Sequence, residues 1–345
     1  MNRSSLYFTG EQSVDLREGQ LREREDEVLI ETQVSAISPG TELLIYNDEA
    51  PTNLEADLTL DALDGDLSYP VNYGYAAVGE VIATGAAVED EWIGKTVFGF
   101  NPHETYFSAS PADLIELPKE IPPEAMALYP TAETATNLVM DGEPRVGERV
   151  GVFGAGVVGL STINLLGSFP LADLIAIDPL EKRRDLAEKL GADETFHPEE
   201  ISKDRWGDSS GPEGADLIYE LSGNPAALDG AIAIAGYDSR IVVGSWYGSK
   251  STTANLGGNF HRDRLSIESS QVSTLDPSLR GRFTFDRRTE IALDTLRSLP
   301  TEELITHRIP FNKAPVAYER LDEKPDQTLQ VLLTYDGWDQ SKTPQ

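Results

Sequence analysis

The segment VGVFGAGVVGL places glycines at 154, 156 and 159, with Ala155, Val157 and Val158 between them. In a G-x-G-x-x-G loop each glycine has a mechanical task. Gly154 makes the tight turn, Gly156 lets backbone approach a diphosphate, and Gly159 lets helix and strand pack closely. The apolar run before the loop predicts a buried strand, and the run after it a helix whose N-terminus would face the diphosphate. Nineteen positions past Gly159 a second apolar run ends in Asp178. An acid there holds a ribose 2′-hydroxyl and repels a 2′-phosphate, so NAD is the expected cofactor and NADP the less favoured one. Lys182, Arg183 and Arg184 follow; they read as a solvated helix face, though they could soften that preference. Ser222, Gly223 and Asn224 close a later strand, where they either meet the nicotinamide ribose or simply make a capped turn.

Metal and nucleophile chemistry is narrowed by what the chain lacks. It has no cysteine and only four histidines, His103, His197, His261 and His307. Disulfides, thiol nucleophiles and thiolate metal sites are thereby removed. His103, in FNPHETYF, follows a core strand and could act as a general base; an exposed loop histidine is the plain alternative. His261 stands in a charged loop with Arg262 and Arg264, and the other two carry no signal.

These residues need elements to hold them. A chain of 345 residues exceeds one ordinary core, so two domains are expected. Up to about residue 120 the pattern is strands and turns: EVLIETQVSAIS alternates and ends at a Pro39-Gly40 turn, and YAAVGEVIATG and GKTVFGF are short strands. Residues 47–70 read as an acidic surface loop, and WDQSKTPQ as a polar tail. After LPKEIPPE, strands and helices alternate: AMALYPTAETATNLVMD, RVGVFGAG, VVGLSTINLLGSF, ADLIAID, EKRRDLAEKLGA, ADLIYELSG and SRIVVGSW. That alternation predicts βαβ units on a parallel sheet. A further helix, RRTEIALDTLRSL, precedes ITHRIPF, APVAYERLDE and a closing strand, QVLLTY.

Composition excludes other classes. Hydrophobic residues are 39% and aromatics 8%, enough for packed cores. There is neither an apolar N-terminal stretch nor a run near the roughly 18 apolar residues of a membrane span, so a cytoplasmic protein without a membrane partner is expected. With 59 acidic against 28 basic residues the formal charge is −31, which repels nucleic acid. The basic residues are mostly arginine, 19 against 9 lysines. An acidic, lysine-poor surface spread along the whole chain points to adaptation to high salt.

The order of GYAAVGEVIATG, GKTVFGF, GERVGVFGAGVVGL, GADLIYELSG and HRIPFNKAPVAYERL resembles the medium-chain dehydrogenase/reductase superfamily, the alcohol-dehydrogenase-like proteins, over nearly the full chain. SAISPGTELLIY, PHETYF and FHRDRLSIESSQV are most similar to its bacteriochlorophyllide-dehydrogenase-like branch. The resemblance implies an α/β fold: a GroES-like β-barrel catalytic domain over 1–128 and 283–345, a doubly wound Rossmann domain over 129–282, and a cleft at their junction. It also implies a homodimer.

The family's zinc site has counterparts here that lack the ligands. Its first cysteine falls at Ser38-Pro39-Gly40-Thr41-Glu42, and the histidine of Gly-His-Glu-x-x-Gly falls at Tyr75, within Gly74 to Gly79. The third ligand falls around Pro130 to Glu133, and the four-cysteine structural lobe is absent. The resemblance then implies zinc-free hydride transfer, with Tyr75 as proton donor or orienter, Thr41 bonding the substrate alcohol and Ser38 helping. For each, packing or turn-capping is the plain alternative, and Glu42 reads as a residue that orders its loop. The leading expectation is a zinc-independent, NAD(H)-linked oxidoreductase acting on a small alcohol, carbonyl or activated alkene. Zinc held by His103, Glu42 and Glu133 is a second reading, and a non-catalytic dinucleotide-binding protein a third.

Overall fold

The computed structural model describes residues 1–22, 24–56, 61–63, 65–207 and 213–336. The chain divides into two units, Met1–Pro130 with Pro300–Gln345, and Thr131–Leu299. The second crossing comes at Pro300, because the helix Phe285–Ser298 belongs to the second unit, whereas the sequence pattern set it at 283.

In the second unit six parallel strands lie in the order Glu194–Phe196, Asp173–Ile177, Arg149–Phe153, Ala215–Glu220, Ala235–Val243 and Ser266–Ser269. Numbered within the unit this is 3-2-1-4-5-6, the order of a doubly wound dinucleotide-binding sheet. It arises because the central strands are nearly all apolar, as a sheet covered on both faces requires. Ile175, Ile177, Ile218 and Ile241 pack with Ala231, Ile232 and Ile234 of the fourth strand's following helix region. The helix Glu181–Lys189 ends before Gly191, whose φ of +115° a side chain would resist. Strand order reverses between Arg149–Phe153 and Ala215–Glu220, and such switch points open crevices at carboxyl ends.

The first unit holds a seven-stranded sheet. Its path runs Ile305–Pro310, Gln330–Thr334, Val28–Ala36, Ala77–Thr84, Thr96–Gly99 and Leu114–Glu116, with Tyr106–Ala109 also paired to Val28–Ala36. A three-stranded sheet joins Ser13–Gln20, Asn2–Gly10 and Val71–Asn72. The central strand alternates, burying Val28, Ile30 and Val34 while Glu31 and Gln33 are partly exposed.

Two local expectations change. Pro39-Gly40 is not a turn but the start of the helix Pro39–Tyr46, with Pro39 at the first helical position, where its missing N–H costs nothing. Within 47–70 the described part is not all surface: Ala50, Leu63 and Leu67 are buried with Phe8, Ile45 and Tyr318. Residues 57–60 and 64, and the tail 338–345, lie outside the described residues. Among the described residues no helix is long and apolar enough to cross a membrane.

Candidate functional site

In the second unit the glycine loop follows Arg149–Phe153 and opens the helix Val157–Leu166. Gly154 has a φ of +92°, and a Cβ there would stand 2.6 Å from Leu221 O and from Ser222 Cα. Gly159 is tighter still, since its Cβ would come 1.9 Å from Gly154 O. Both are fixed by protein packing. Gly156 differs: its backbone is ordinary and extended, and nothing lies within 4 Å of its missing Cβ. An open glycine in such a loop is explained by a ligand that approaches its backbone.

Asp178, at the end of Asp173–Ile177, is buried, and each carboxylate oxygen accepts a backbone N–H. Oδ2 takes Ala155 at 2.8 Å and Oδ1 takes Leu180 at 2.8 Å. The acid therefore ties the glycine loop to its own strand, and each oxygen retains a second lone pair for a hydroxyl donor. Arg184 donates to the Asp178 carbonyl. Burial pushes the Arg183 guanidinium below its usual range, against the opposing charge of Asp178.

Ser222 and Gly223 stand across the switch point, and the sequence did not single out what holds them. Glu220 is fully buried and accepts the Ser222 N–H at 2.9 Å, the Ser222 hydroxyl, and the Tyr247 hydroxyl at 2.5 Å. Gly223 N–H donates to Ser245 Oγ at 2.9 Å. Burial and the Glu220 bond push the Tyr247 phenol far above its usual range, so it stays a donor. An acid ending the apolar run ADLIYE was the available signal, since a buried carboxylate requires partners.

In the first unit Ser38, Thr41 and Tyr75 meet. Ser38 caps the helix Pro39–Tyr46 and Thr41 lies in its first turn, while Tyr75 precedes the strand Ala77–Thr84. The Tyr75 hydroxyl donates to Ser38 Oγ, and Thr41 Oγ1 lies 3.3 Å from it. All three are half-buried.

Glu42 and His103 lie deeper. Both are fully buried, and Glu42 Oε2 accepts from His103 Nε2 at 3.1 Å. Glu42 also accepts the Ser38 N–H at 2.6 Å and the Tyr318 hydroxyl at 2.5 Å. His103 Nδ1 lies 2.7 Å from Ser35 Oγ, which is 2.9 Å from the Tyr335 hydroxyl. His103 thus reaches no solvent, and both ring nitrogens are bonded within the protein. Ser35, Tyr318 and Tyr335 escaped the sequence reading because each is one polar atom on an otherwise apolar face. Glu133 is paired elsewhere, with Arg288 at 2.9 Å. Among the described residues no group of three or more His, Cys, Asp and Glu side chains is placed to hold a metal.

The chain is similar to known proteins in sequence and in fold. A family described as zinc-binding dehydrogenase matches residues 157–283. The D-guloside 3-dehydrogenase of Escherichia coli (strain K12) is 26% identical over 328 residues, spanning 90% of this chain and 93% of that protein. A solved E. coli CFT073 structure, described as a short chain alcohol dehydrogenase complexed with cofactor NADH, is 19% identical. It superposes with a TM-score of 0.76, covering 96% of this chain and 99% of that one. Galactitol-1-phosphate dehydrogenase from E. coli gives 0.74 at 20% identity, covering 96% and 99%. At these identities the two solved structures speak for a common fold.

Proposed function

We propose that the chain is a nicotinamide-dependent dehydrogenase of the medium-chain dehydrogenase/reductase type that moves hydride between NAD(H) and a neutral polyol or sugar, without zinc. Its likeness to zinc-binding dehydrogenases over residues 157–283 and to D-guloside 3-dehydrogenase over 90% of the chain supports this. The observation that carries this reading is the hydroxyl trio. Tyr75 stands where the resemblance places the zinc-binding histidine; a hydroxyl or a proline, Ser38 or Pro39, stands where it places the first cysteine; and Tyr75 bonds Ser38. Zinc selects thiolate, imidazole and carboxylate donors. A neutral serine and phenol do not fit it, and the nearby Glu42 and His103 are bonded to each other and to further protein groups.

Held by the glycine loop and Asp178, a reduced nicotinamide would supply hydride for the carbonyl carbon, and the Tyr75 hydroxyl would give its proton to the carbonyl oxygen. The Ser38 and Thr41 hydroxyls then hydrogen-bond the phenolate that remains. Oxidation of the alcohol reverses both transfers. A polyol fits because its neighbouring hydroxyls can bond the same trio. The D-guloside 3-dehydrogenase likeness over 90% of the chain supports that class. A net charge of −31 favours a neutral substrate over a phosphorylated one. The adenosine ribose would rest on Asp178, which favours NAD over NADP. A second copy would pair along Ser266–Ser269, one of the sheet's two edge strands.

Elemental zinc per subunit, measured with NADH and NADPH titrations and turnover on a panel of neutral sugars and polyols, tests the reading. Metal-free protein that prefers NADH and turns over a polyol is expected. One zinc per chain surviving dialysis, with activity lost to a chelator, would overturn it. Tight NADH binding without turnover would make the chain a binding protein.

A further inference from the structure

Behind the hydroxyl trio lies a buried layer that the proposed proton transfer does not use. Glu42 presents one oxygen to the Ser38 N–H and the other to His103 and Tyr318. Since a carboxylate only accepts, the bond to His103 places a proton on Nε2, while Nδ1 lies 2.7 Å from Ser35 Oγ. Burial, and then the neighbouring Glu42, hold the Tyr318 hydroxyl well above the usual phenol range, so it remains a donor.

The His103 ring also sets the other side of the trio. It lies against Gly74, where an added Cβ would stand 2.6 Å from Cδ2 and 2.7 Å from Nε2. Gly74 has a φ of +126°, a conformation that side chains resist, and the next residue is Tyr75. One buried carboxylate therefore references both partners of the Tyr75–Ser38 bond. It reaches Ser38 through the backbone N–H, and Tyr75 through His103 and Gly74. A metal ligated from the stretch 38–42 and from position 75 would tie the same two segments together.

We propose that Glu42 and His103 are positioning residues, a buried pair that fixes Ser38 and Tyr75 in register for proton transfer in place of a metal. The inference rests on Tyr75 as the proton donor. A network built only for stability would also be buried and satisfied. What separates the two is whether loosening the pair acts on turnover through Tyr75. Sub-ångström placement governs such transfers, and a misplacement of about 1 Å costs on the order of 10²-fold in rate.

The test compares His103→Gln and Ser35→Ala in the full-length enzyme, each alone and combined with Tyr75→Phe. Turnover is measured on the best polyol of the panel, with NADH affinity and thermal melting on the same samples. Ser35→Ala removes the hydroxyl that lies beside Nδ1 and the Tyr335 hydroxyl while leaving the ring in place, and so remains informative if His103→Gln does not fold. We expect kcat to fall about 10- to 100-fold in each single variant with NADH affinity within about twofold. In the Tyr75→Phe background the further loss should shrink to within about twofold, because the group being positioned is gone. Wild-type kcat in the folded single variants would overturn the proposal, as would equal fold-losses in both backgrounds, the mark of a structural role. If Tyr75→Phe alone leaves kcat unchanged, both the proton donor and its positioning pair fall. If Tyr75→Phe is impaired but the losses are additive, only the positioning pair falls.

Discussion

Tyr75 donates its phenolic hydrogen to Ser38 Oγ, joining the entry of a glycine-rich strand to a helix cap 37 positions earlier. Tyr75 falls where the resemblance places the zinc-binding histidine, and Ser38 lies in the stretch Ser38-Pro39-Gly40-Thr41-Glu42 where it places the first cysteine.

Replacing Tyr75 by Phe removes that hydroxyl and retains the ring, which packs edge-on against Tyr73 with centroids 6.1 Å apart. We expect kcat to fall by about 10²-fold or more, the range of a lost general acid. The melting temperature should change little, since the tyrosine is only half-buried. Steady-state kinetics beside a thermal melt decide it, and wild-type turnover would remove Tyr75 from the chemistry.

Gly156 and Gly159 should respond differently to alanine. Gly159→Ala forces a Cβ to within 1.9 Å of Gly154 O, so the loop must shift and stability should drop with NADH affinity. Gly156→Ala meets no protein atom within 4 Å, so the fold should melt normally. Its methyl would nonetheless stand where backbone must approach the diphosphate, and NADH affinity should fall about tenfold or more. Fluorescence titration beside thermal melts reads both. Unchanged NADH affinity in Gly156→Ala would move the cofactor away from this loop.

Much of the second unit was legible because its signals are local. A buried apolar run, three glycines and a distal acid specify strand, turn, helix and Asp178 almost independently of the rest of the chain. The first unit was less so. Pro39-Gly40 reads as a turn in isolation, and becomes a helix start because Glu42 bonds back to Ser38 and Ile45 finds a core. The tie between Glu42, His103, Tyr318 and Ser35 spans separations of up to 276 positions, and no sequence window contains it. His103 accordingly read as a general-base candidate or an exposed loop histidine, while the fold encloses it completely.

Glu220 should matter to cofactor binding without touching the glycine loop. It gathers Ser222 and Tyr247 beneath the turn that carries Gly223, and Gly154 packs against Leu221 and Ser222. Glu220→Ala would leave the Ser222 and Tyr247 hydroxyls without their acceptor and release that turn. NADH affinity should weaken about tenfold, at a stability loss of about 1–3 kcal/mol for the orphaned donors. Isothermal titration with NADH decides; a loss of stability with unaltered affinity would confine Glu220 to the core.

Glu104 makes stability depend on mildly acidic pH. Burial raises its carboxyl above the usual carboxylate range, against the opposing effect of Arg3 and bonds from Ser5 and Asn101. The folded state therefore holds the proton more tightly than the unfolded chain does. Below the unfolded pKa both states are protonated and the contribution to stability is fully present. It is lost as pH rises through the raised folded value. Glu104→Gln has no such proton. Its melting temperature, plotted against pH from 4 upward, should lack the component of decline that the wild type shows, and parallel curves would contradict this assignment.

Salt should stabilise the whole chain. A net charge of −31 is too large for its 28 basic residues to balance, and the like charges repel more strongly in the compact state than in the expanded one. Screening lengths fall from about 10 Å at 0.1 M to about 3 Å at 1 M, so repulsion between neighbouring surface carboxylates is muted only at high ionic strength. The melting temperature should therefore rise from about 0.1 M to about 2 M sodium chloride, most steeply at the low end, where screening changes fastest. Salt and neutral solutes also strengthen apolar burial, so sucrose of matched osmolality serves as the control. A rise in sodium chloride well beyond that in sucrose marks charge repulsion as the cause. Equal rises would assign the effect to solvation, and an absent rise would set aside the high-salt adaptation that the arginine-rich, acidic composition suggests.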